Sequence, residues 1–326
     1  MIYKTKLRFL VGLVGVLALV YAGTWVFEPE RVNARNAAFQ WVEAKQLAEA
    51  DRIELSGTGE SLTLVRKEGN RWFVSRDDGD YPAKQERVAD FLRILSNKGN
   101  YPVRSTEAAS HERLGLTENA ASRILIRGGA AVPPLLDLLV GQRDPTGQEV
   151  YLRKQDQNEV RSGDTTLAGY VASSRTSWYN LRLFPEAEQP GLAAVQRLTV
   201  YAPPLPEEES SAPEPPFSLS RSGGGWIIEG AAVPELDTPR VEAYIRSILD
   251  AEGEDFLSLA ETSAVEALTE GRLVLDLGNG LSHTIRVGPL EANRRSAVVS
   301  DNPYGYALAE WTVNRIFKTA SYFAPQ

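Results

Sequence analysis

The chain has 326 residues, of which 43% are hydrophobic and 24% charged, so it is long enough for two domains with hydrophobic cores. Its formal net charge is −8. Without a basic excess to neutralise phosphates, this composition argues against a nucleic-acid partner. The chain contains no cysteine, which excludes disulfides, thiolate catalysis, Cys-ligated zinc and an N-terminal lipoprotein anchor.

Residues 9–27, FLVGLVGVLALVYAGTWVF, carry no charge. At roughly 1.5 Å per residue, a helix of this length would span a hydrocarbon core of roughly 30 Å. Lys4, Lys6 and Arg8 precede it, so the positive-inside rule places the tail 1–8 in the cytoplasm and the remainder outside. A cleaved signal peptide is the alternative, although its apolar core is usually shorter. The sequence therefore predicts a single-pass protein of the inner (cytoplasmic) membrane, anchored by this segment, with a periplasmic soluble part.

A juxtamembrane helix or stalk is predicted over residues 28–50, and a first α+β domain over 51–185. Alternating apolar positions and short turns predict the strands of this domain, and 3.6-residue periodicity predicts its helices. The predicted strands are 52–55, 61–66, 71–74, 123–128, 135–141 and 149–154, and the helices are 82–98 and about 164–172. Pro82 suits the first helical position, and Val88, Phe91, Leu92 and Leu95 form one helical face.

A second α+β domain is predicted over residues 195–326. Its predicted strands are 197–201, 217–221, 226–229, a hairpin around 278–280 and 296–300, and its helices are 238–252 and about 308–318. Thr238 is the predicted N-cap, followed by Pro239. The Pro/Glu-rich insertion 202–216 is predicted as a solvated loop, with a docking strip for a partner as the alternative.

The second domain repeats the pattern of the first in the same order. EGNRWFV at 68–74 corresponds to GGGWIIE at 223–229, and length differences between the copies fall in loops. The predicted fold class is therefore α+β, a tandem duplication of a strand–hairpin–helix–antiparallel-strands–helix unit preceded by one transmembrane helix. Trp72 and Trp226, at corresponding positions, are predicted as core aromatics, with a ligand-stacking platform as the alternative.

No motif in the sequence assembles a catalytic, cofactor or metal site. His111 and His283 lie in unrelated contexts without an HExxH pattern, and both are predicted at the surface or at an edge. GTGES at 57–61 superficially resembles a phosphate loop, but a predicted strand follows it instead of a helix N-terminus. We therefore predict no enzyme activity, no catalytic residue and no cofactor.

The polar-aromatic segment 173–184 is the predicted contact surface for a partner. Within it, Trp178, Tyr179, Arg182 and Phe184 are residue types enriched in interface hot spots. The alternative interpretation is that these side chains pack the first predicted domain against the second.

The pattern RIEL…SLTLVRKEGNRWFV…YPAKQERVADFLRIL…LGL, followed by LLVGQRDPTGQEVYLR, resembles a family of uncharacterised bacterial domains of unknown function. The resemblance covers most of residues 50–184 and, more weakly, 195–322. Members of that family often start with one membrane helix and tend to be encoded beside ABC transporter genes of the gliding-motility-associated type. The resemblance implies an accessory role in a transport system and supplies no catalytic residue.

Three hypotheses of function follow. The first is a non-enzymatic, membrane-anchored periplasmic accessory subunit of an ABC-type transport or export system, with the permease or a companion protein as partner. The second is an envelope module that binds a glycan, peptide or lipid in the cleft between the two predicted domains. The third is a hydrolase assembled from scattered acidic residues.

Overall fold

A computed structural model describes residues 12–18, 21, 38–57, 60–129, 133–184, 190–204, 215–233 and 235–325. The chain splits into two compact units. Unit 1 comprises Met1–Asn70 and Glu86–Ser174, and unit 2 comprises Arg71–Gln85 and Arg175–Gln326. The short segment 71–85 therefore groups with the C-terminal half of the chain. The domain limits predicted from the sequence stay a prediction.

Antiparallel strands make up most of the regular secondary structure of the described residues. They are β1 (Ala38–Phe39), β2 (Arg52–Ser56), β3 (Leu62–Arg66), β4 (Trp72–Arg76), β5 (Gly79–Pro82), β6 (Gly99–Asn100), β7 (Val103–Ser105), β8 (Ser122–Arg127), β9 (Leu136–Arg143), β10 (Glu149–Lys154), β11 (Val160–Asp164), β12 (Val195–Tyr201), β13 (Phe217–Ser222), β14 (Gly225–Glu229), β15 (Asp255–Phe256), β16 (Gly271–Leu277), β17 (Ser282–Glu291), β18 (Arg294–Val299) and β19 (Gly305–Ala309).

Short helices, of at most 12 residues, accompany these strands. They are α1 (Ala44–Leu47), α2 (Gln85–Ser96), α3 (Thr166–Ala172), α4 (Thr238–Leu249), α5 (Leu259–Ala267) and α6 (Glu310–Ile316). Residues 12–18 and 21 are also helical.

In unit 1, hydrogen-bonded strands follow one another in the order β3-β2-β8-β9-β10-β11-β7, and β1 pairs with β6. Burial alternates along β2, where Ile53 and Leu55 point into the core. Helix α2 contributes Val88, Phe91 and Leu95 from one face, each fully buried. The predicted helix and most of its predicted apolar face are confirmed.

Helix α2 begins later than predicted. Pro82 is the last residue of strand β5 and not the first residue of the helix. The backbone N–H of Ala83 donates to the carbonyl of Trp72, at 3.1 Å, so the β4–β5 pairing continues past Pro82. The Gln85 side chain then bonds the backbone N–H and the carbonyl of Trp72, each at 2.9 Å. This pairing competes with a helical first turn at Pro82.

In unit 2, the strand order is β14-β13-β12-β16-β17-β18-β19-β15, and β4 pairs with β5 as a hairpin. The predicted hairpin around Gly278–Gly280 is confirmed as the β16–β17 connection. Helix α4 is capped by Asp237, whose Oδ1 accepts from the N–H of Arg240 at 3.1 Å, so the predicted cap at Thr238 is off by one residue. Helix α5 packs on β17 to β19.

The predicted fold class is wrong. The described residues form mostly antiparallel β-sheet with few helices, and not a tandem strand–hairpin–helix unit behind a transmembrane helix. The segments predicted as separate hairpins pair across long stretches of sequence, as when β2 lies between β3 and β8. Sheets of this size arise because every backbone N–H and C=O inside a strand needs a partner.

The predicted single-pass localisation is contradicted as well. None of the helices in the described part of the chain is long and apolar enough to cross a membrane. Of the predicted anchor 9–27, only residues 12–18 and 21 lie within that part, and the predicted tail 1–8 lies outside it. The predicted stalk 28–50 is described from Ala38 onward, where it forms β1 and α1, and Trp41 and Leu47 are buried.

Candidate interaction surface

The residues predicted as partner contacts are mostly interior. Trp178, Tyr179 and Phe184 are 0%, 1% and 3% exposed. Their side chains are covered by the protein itself, so a partner could reach them only after a change in conformation. A polar-aromatic sequence pattern does not distinguish an interface from a core, because aromatic residues are favoured in both environments.

Tyr179 belongs to an aromatic cluster in unit 2. Its ring centroid lies 5.9 Å from that of Tyr81 and 5.0 Å from that of Phe256, both in edge-to-face geometry. Burial raises the pKa of Tyr179, and the neighbouring Arg76 guanidinium opposes this shift. These contacts give Tyr179 a packing role in unit 2.

Arg182 is the predicted contact residue that reaches solvent. Its side chain is 33% exposed, and its Nε lies 3.4 Å from Oε1 of Glu252. Its carbonyl accepts a hydrogen bond from the hydroxyl of Tyr306 at 3.2 Å, which ties its backbone to β19. The prediction that this segment contacts a partner stays a prediction.

A different part of unit 2 exposes aromatic and basic side chains together. Trp311, on helix α6, is 62% exposed, and the Arg315 guanidinium one turn later lies 5.2 Å from its ring centroid. The buried side of the same helix contributes Thr312, Val313 and Ile316. Trp311 therefore lies off the apolar stripe that anchors the helix and projects into solvent.

The second half of this surface lies just after α6. Tyr322 is 40% exposed, and two cations lie over its ring, with Lys318 Nζ at 5.3 Å and Arg240 Cζ at 5.6 Å. Arg240 is fixed by its own hydrogen bonds to the carbonyls of Tyr322, at 3.1 Å, and Ala324, at 2.9 Å. We refer to Arg240, Trp311, Arg315, Lys318 and Tyr322 as the C-terminal aromatic surface.

A buried tyrosine holds the backbone beneath this surface. The hydroxyl of Tyr244, on helix α4, donates to the carbonyl of Ile316 at 2.5 Å. Burial strongly raises the pKa of Tyr244, so this hydroxyl stays protonated and remains a donor. The Tyr244 ring also packs edge-to-face on Phe323, 5.1 Å between centroids. The end of α6 and the last turn of the chain are thereby joined to α4.

The C-terminal aromatic surface is positively charged, whereas the chain as a whole is negatively charged. Three of its five residues carry a positive charge, whereas the chain has a formal net charge of −8. Asp237, 3.7 Å from Arg240 Nε, offsets part of this charge. Exposed Trp and Tyr accompanied by Arg are typical of interface hot spots, and the positive charge favours an acidic partner.

Sequence reasoning predicted the terminal helix but missed this surface. The available signal was the spacing of Trp311, Arg315 and Lys318, which places the three side chains along one side of the helix predicted at about 308–318. Thr312, Val313 and Ile316 define the opposing, buried side.

The described residues contain no group of three or more His, Cys, Asp or Glu side chains that could hold a metal ion. His111 Nε2 lies 3.0 Å from the carbonyl of Asn158, and the ring of His283 lies 5.7 Å from that of Phe184. Trp72 and Trp226, at 7% and 6% exposure, are core aromatics as predicted.

Comparison with known proteins gives one match. A family model described as "Domain of unknown function (DUF4340)" matches residues 72–271, more than half of the 326-residue chain. No curated protein and no solved structure matches the chain. Apart from Arg240, the residues of the C-terminal aromatic surface follow the matched range.

Proposed function

The chain belongs to the DUF4340 family, a domain of unknown function, and from this premise we propose that it is a non-enzymatic accessory subunit of an ABC-type transport or export system. In this proposal it docks on the permease or a companion protein through the C-terminal aromatic surface. The link to a transport system comes from the family resemblance, because members of the family that the sequence resembles tend to be encoded beside such transporter genes.

The observation that supports docking at this surface is the exposure of Trp311. A tryptophan that is 62% exposed leaves a large apolar area in water, and burial of apolar area on binding is favourable by roughly 25 cal/mol per Å². The Arg315 guanidinium over its ring adds a charge that steers an acidic partner. The absence of cysteine and the separate contexts of the two histidines support the non-enzymatic part of the proposal.

In-cell photocrosslinking tests the proposal. A benzophenone amino acid would replace Trp311 in one variant of the full-length chain and Leu281 in a control variant. Leu281, in the β16–β17 connection of unit 2, is 59% exposed and so presents the probe to solvent to a similar degree. After irradiation, the adducts would be identified by mass spectrometry.

The expected result is an adduct with an ABC permease or its companion from position 311 and none from position 281. An adduct from 311 with an unrelated protein would refute the transport role and retain the docking surface. No adduct from 311, or the same adducts from both positions, would refute docking at this surface.

A further inference from the structure

A cleft of unit 2 lies between helix α5 and the sheet strands β17 to β19 on which this helix packs. Its volume of about 310 Å³ is at the lower end of the range for sites that bind small molecules. Apolar side chains form much of its wall: Leu257, Ala264, Val265, Leu268, Pro289 and Ala307. None of the described residues that line it belongs to the C-terminal aromatic surface, so the cleft is a separate feature of the unit.

Short side chains on both walls keep the cleft open. Ala264 on α5 and Ala307 on β19 both line it, and side chains of this length leave part of the space between helix and sheet unfilled. The pairing of β17 with β18 also shifts register between Val287 and Leu290, and Pro289 lies within this irregularity. Solvent reaches the cleft along the helix, because Ala264 is exposed.

The positive charges that line the cleft are matched by carboxylates outside it. Arg294 and Arg295 are its two lining arginines. Arg294 Nε lies 2.8 Å from Oε2 of Glu254, and Arg295 Nη1 lies 2.6 Å from Oε2 of Glu270. Neither arginine therefore leaves a net positive charge for the cleft.

The two carboxylates that line the cleft are not matched in this way. Glu261 Oε2 accepts from the backbone N–H of Ser258 at 2.8 Å and from its hydroxyl at 2.7 Å, and these neutral donors lower the pKa of Glu261. Arg76 also favours the ionised form of Glu261, but Arg76 itself pairs with Asp78 at 2.9 Å. Glu291 is exposed, and within the described part of the chain no residue donates to its carboxylate. The cleft therefore combines an apolar wall with an excess of negative charge.

We propose that this cleft binds a small primary amine with a short apolar chain. The chain of the ligand lies along the apolar wall, where removal of apolar area from water favours binding. The ammonium group lies at the exposed mouth and donates to the carboxylate of Glu291, with Glu261 as the second negative charge. The formal net charge of −8 of the protein also favours the approach of a cation.

Ligand-observed NMR titrations of the full-length chain, at neutral pH and constant low ionic strength, test the site with three probes of similar shape. Hexylamine, hexanol and hexanoate carry the same apolar chain and differ in the charge of the head group. We expect hexylamine to bind with a dissociation constant on the order of 1 mM, as suits a ligand of this size. Hexanol should bind about fivefold more weakly because it forms no ion pair, and hexanoate should bind most weakly.

Two variants locate the site. Glu291→Gln should weaken hexylamine binding about fivefold and leave hexanol binding unchanged, because only the ammonium group uses the carboxylate. Ala264→Phe places a ring in the cleft and should weaken the binding of both probes about tenfold or more. Both positions are exposed, so the melting temperatures of the two variants should stay close to that of the native chain.

The matched controls are Glu235→Gln, which removes the same charge elsewhere in unit 2, and Ala260→Phe, which adds the same ring elsewhere on α5. Both residues are exposed, and neither lines the cleft. Both variants should bind hexylamine like the native chain. The proposal would be overturned if hexylamine does not bind, if hexanol binds as tightly as hexylamine, or if the controls lose as much affinity as the variants in the cleft.

Discussion

The Oε2 atom of Glu270 lies 2.6 Å from Nη1 of Arg295, whose side chain is almost completely buried in unit 2. The same guanidinium donates to the carbonyls of Gly288, at 2.9 Å, and Pro204, at 2.7 Å. One arginine thereby connects the chain after β12, the segment after α5 and strand β17. A buried charge bonded on all sides is costly to disturb, because its partners lose their acceptor bonds together.

Replacing Arg295 by Met should lower the free energy of unfolding by about 1–3 kcal/mol, since two backbone carbonyls lose their donor while Glu270, at the edge, can hydrate. The control is Arg294→Gln on the same strand, where the Arg294 side chain is 59% exposed and pairs with Glu254 at 2.8 Å. That exposed pair should contribute at most about 1 kcal/mol. Urea denaturation of the two variants makes the comparison, and equal effects would contradict the structural role of Arg295.

Replacing either of two glycines of unit 1 by alanine should change the stability of the protein, in opposite directions at the two positions. A Cβ on Gly141 would lie 2.4 Å from the carbonyl oxygen of Leu114, so Gly141→Ala must displace backbone and should cost about 1–3 kcal/mol. Gly169 lies inside α3, and a Cβ there meets nothing within 4 Å. Gly169→Ala should therefore stabilise by up to about 1 kcal/mol through its helix propensity. Thermal unfolding measures both, and a loss of stability in Gly169→Ala would contradict the described environment of α3.

Local elements were predictable from the sequence because local periodicity determines them. The stripe Val241, Tyr244, Ile245, Ile248 and Leu249 of α4 is buried as its spacing predicts. The strand order was not predictable in the same way. Leu55 has register partners in Leu62 and in Ile124, and nothing in the alternation of β2 states which distant strand completes its ladder. The order of strands in each sheet depends on pairing between segments far apart in the sequence, whereas the hydrophobic pattern indicates only which face of each strand is buried.

The candidate surface was harder to predict than the elements that carry it. Trp178 and Trp311 both follow polar residues in the sequence, yet the first is fully buried and the second is 62% exposed. What separates them is tertiary packing: the backbone around Trp178 is bonded to the β4–β5 hairpin, with Lys84 N donating to the Trp178 carbonyl at 2.7 Å.

Tyr81 should make the stability of the protein fall at alkaline pH. Its hydroxyl lies 2.9 Å from Oδ2 of Asp78 and 3.1 Å from the carbonyl of Leu257, and its ring is 2% exposed. Burial raises the pKa of Tyr81 to about 12 from an unfolded value of 10.0. The unfolded chain therefore loses this proton first, and the stabilisation is lost as pH rises from about 10 to about 12.

Tyr81→Phe tests this expectation. The variant should be less stable at neutral pH by about 1 kcal/mol, because one buried hydroxyl contact is lost, and its stability should fall less steeply above pH 10. Urea denaturation at neutral pH and at pH 10 to 11 gives the comparison. Tyr322→Phe, on a ring that is 40% exposed, serves as the control and should change stability little. An unchanged alkaline slope in Tyr81→Phe would refute the assignment.

Trp311→Ala should weaken partner capture by about 2 kcal/mol or more in binding free energy, as expected for a hot-spot tryptophan. Its effect on folding should stay within about 0.5 kcal/mol, because the side chain is exposed. Leu281→Ala, with a side chain that is 59% exposed, is the control and should leave both quantities unchanged. Affinity for the crosslinked partner, measured with purified proteins, gives the first quantity and urea denaturation the second. Equal affinities of the two variants would remove Trp311 from the interface.

The turn between β9 and β10 should make stability fall in acid through Asp144. Its carboxylate accepts from the Thr146 hydroxyl at 2.5 Å and from the N–H of Glu149 at 2.8 Å, and these bonds lower the pKa of Asp144 to about 2 from an ordinary value of 3.8. Because the unfolded chain takes up this proton first as pH falls, the stabilisation is present above about pH 4 and is lost toward pH 2. In Asp144→Asn this part of the acid dependence should disappear, and in Thr146→Val, which removes the first donor, it should shrink. Melting temperatures of the three proteins between pH 5 and pH 2 decide the matter, and an Asn variant with the full native acid dependence would show that the turn does not contribute.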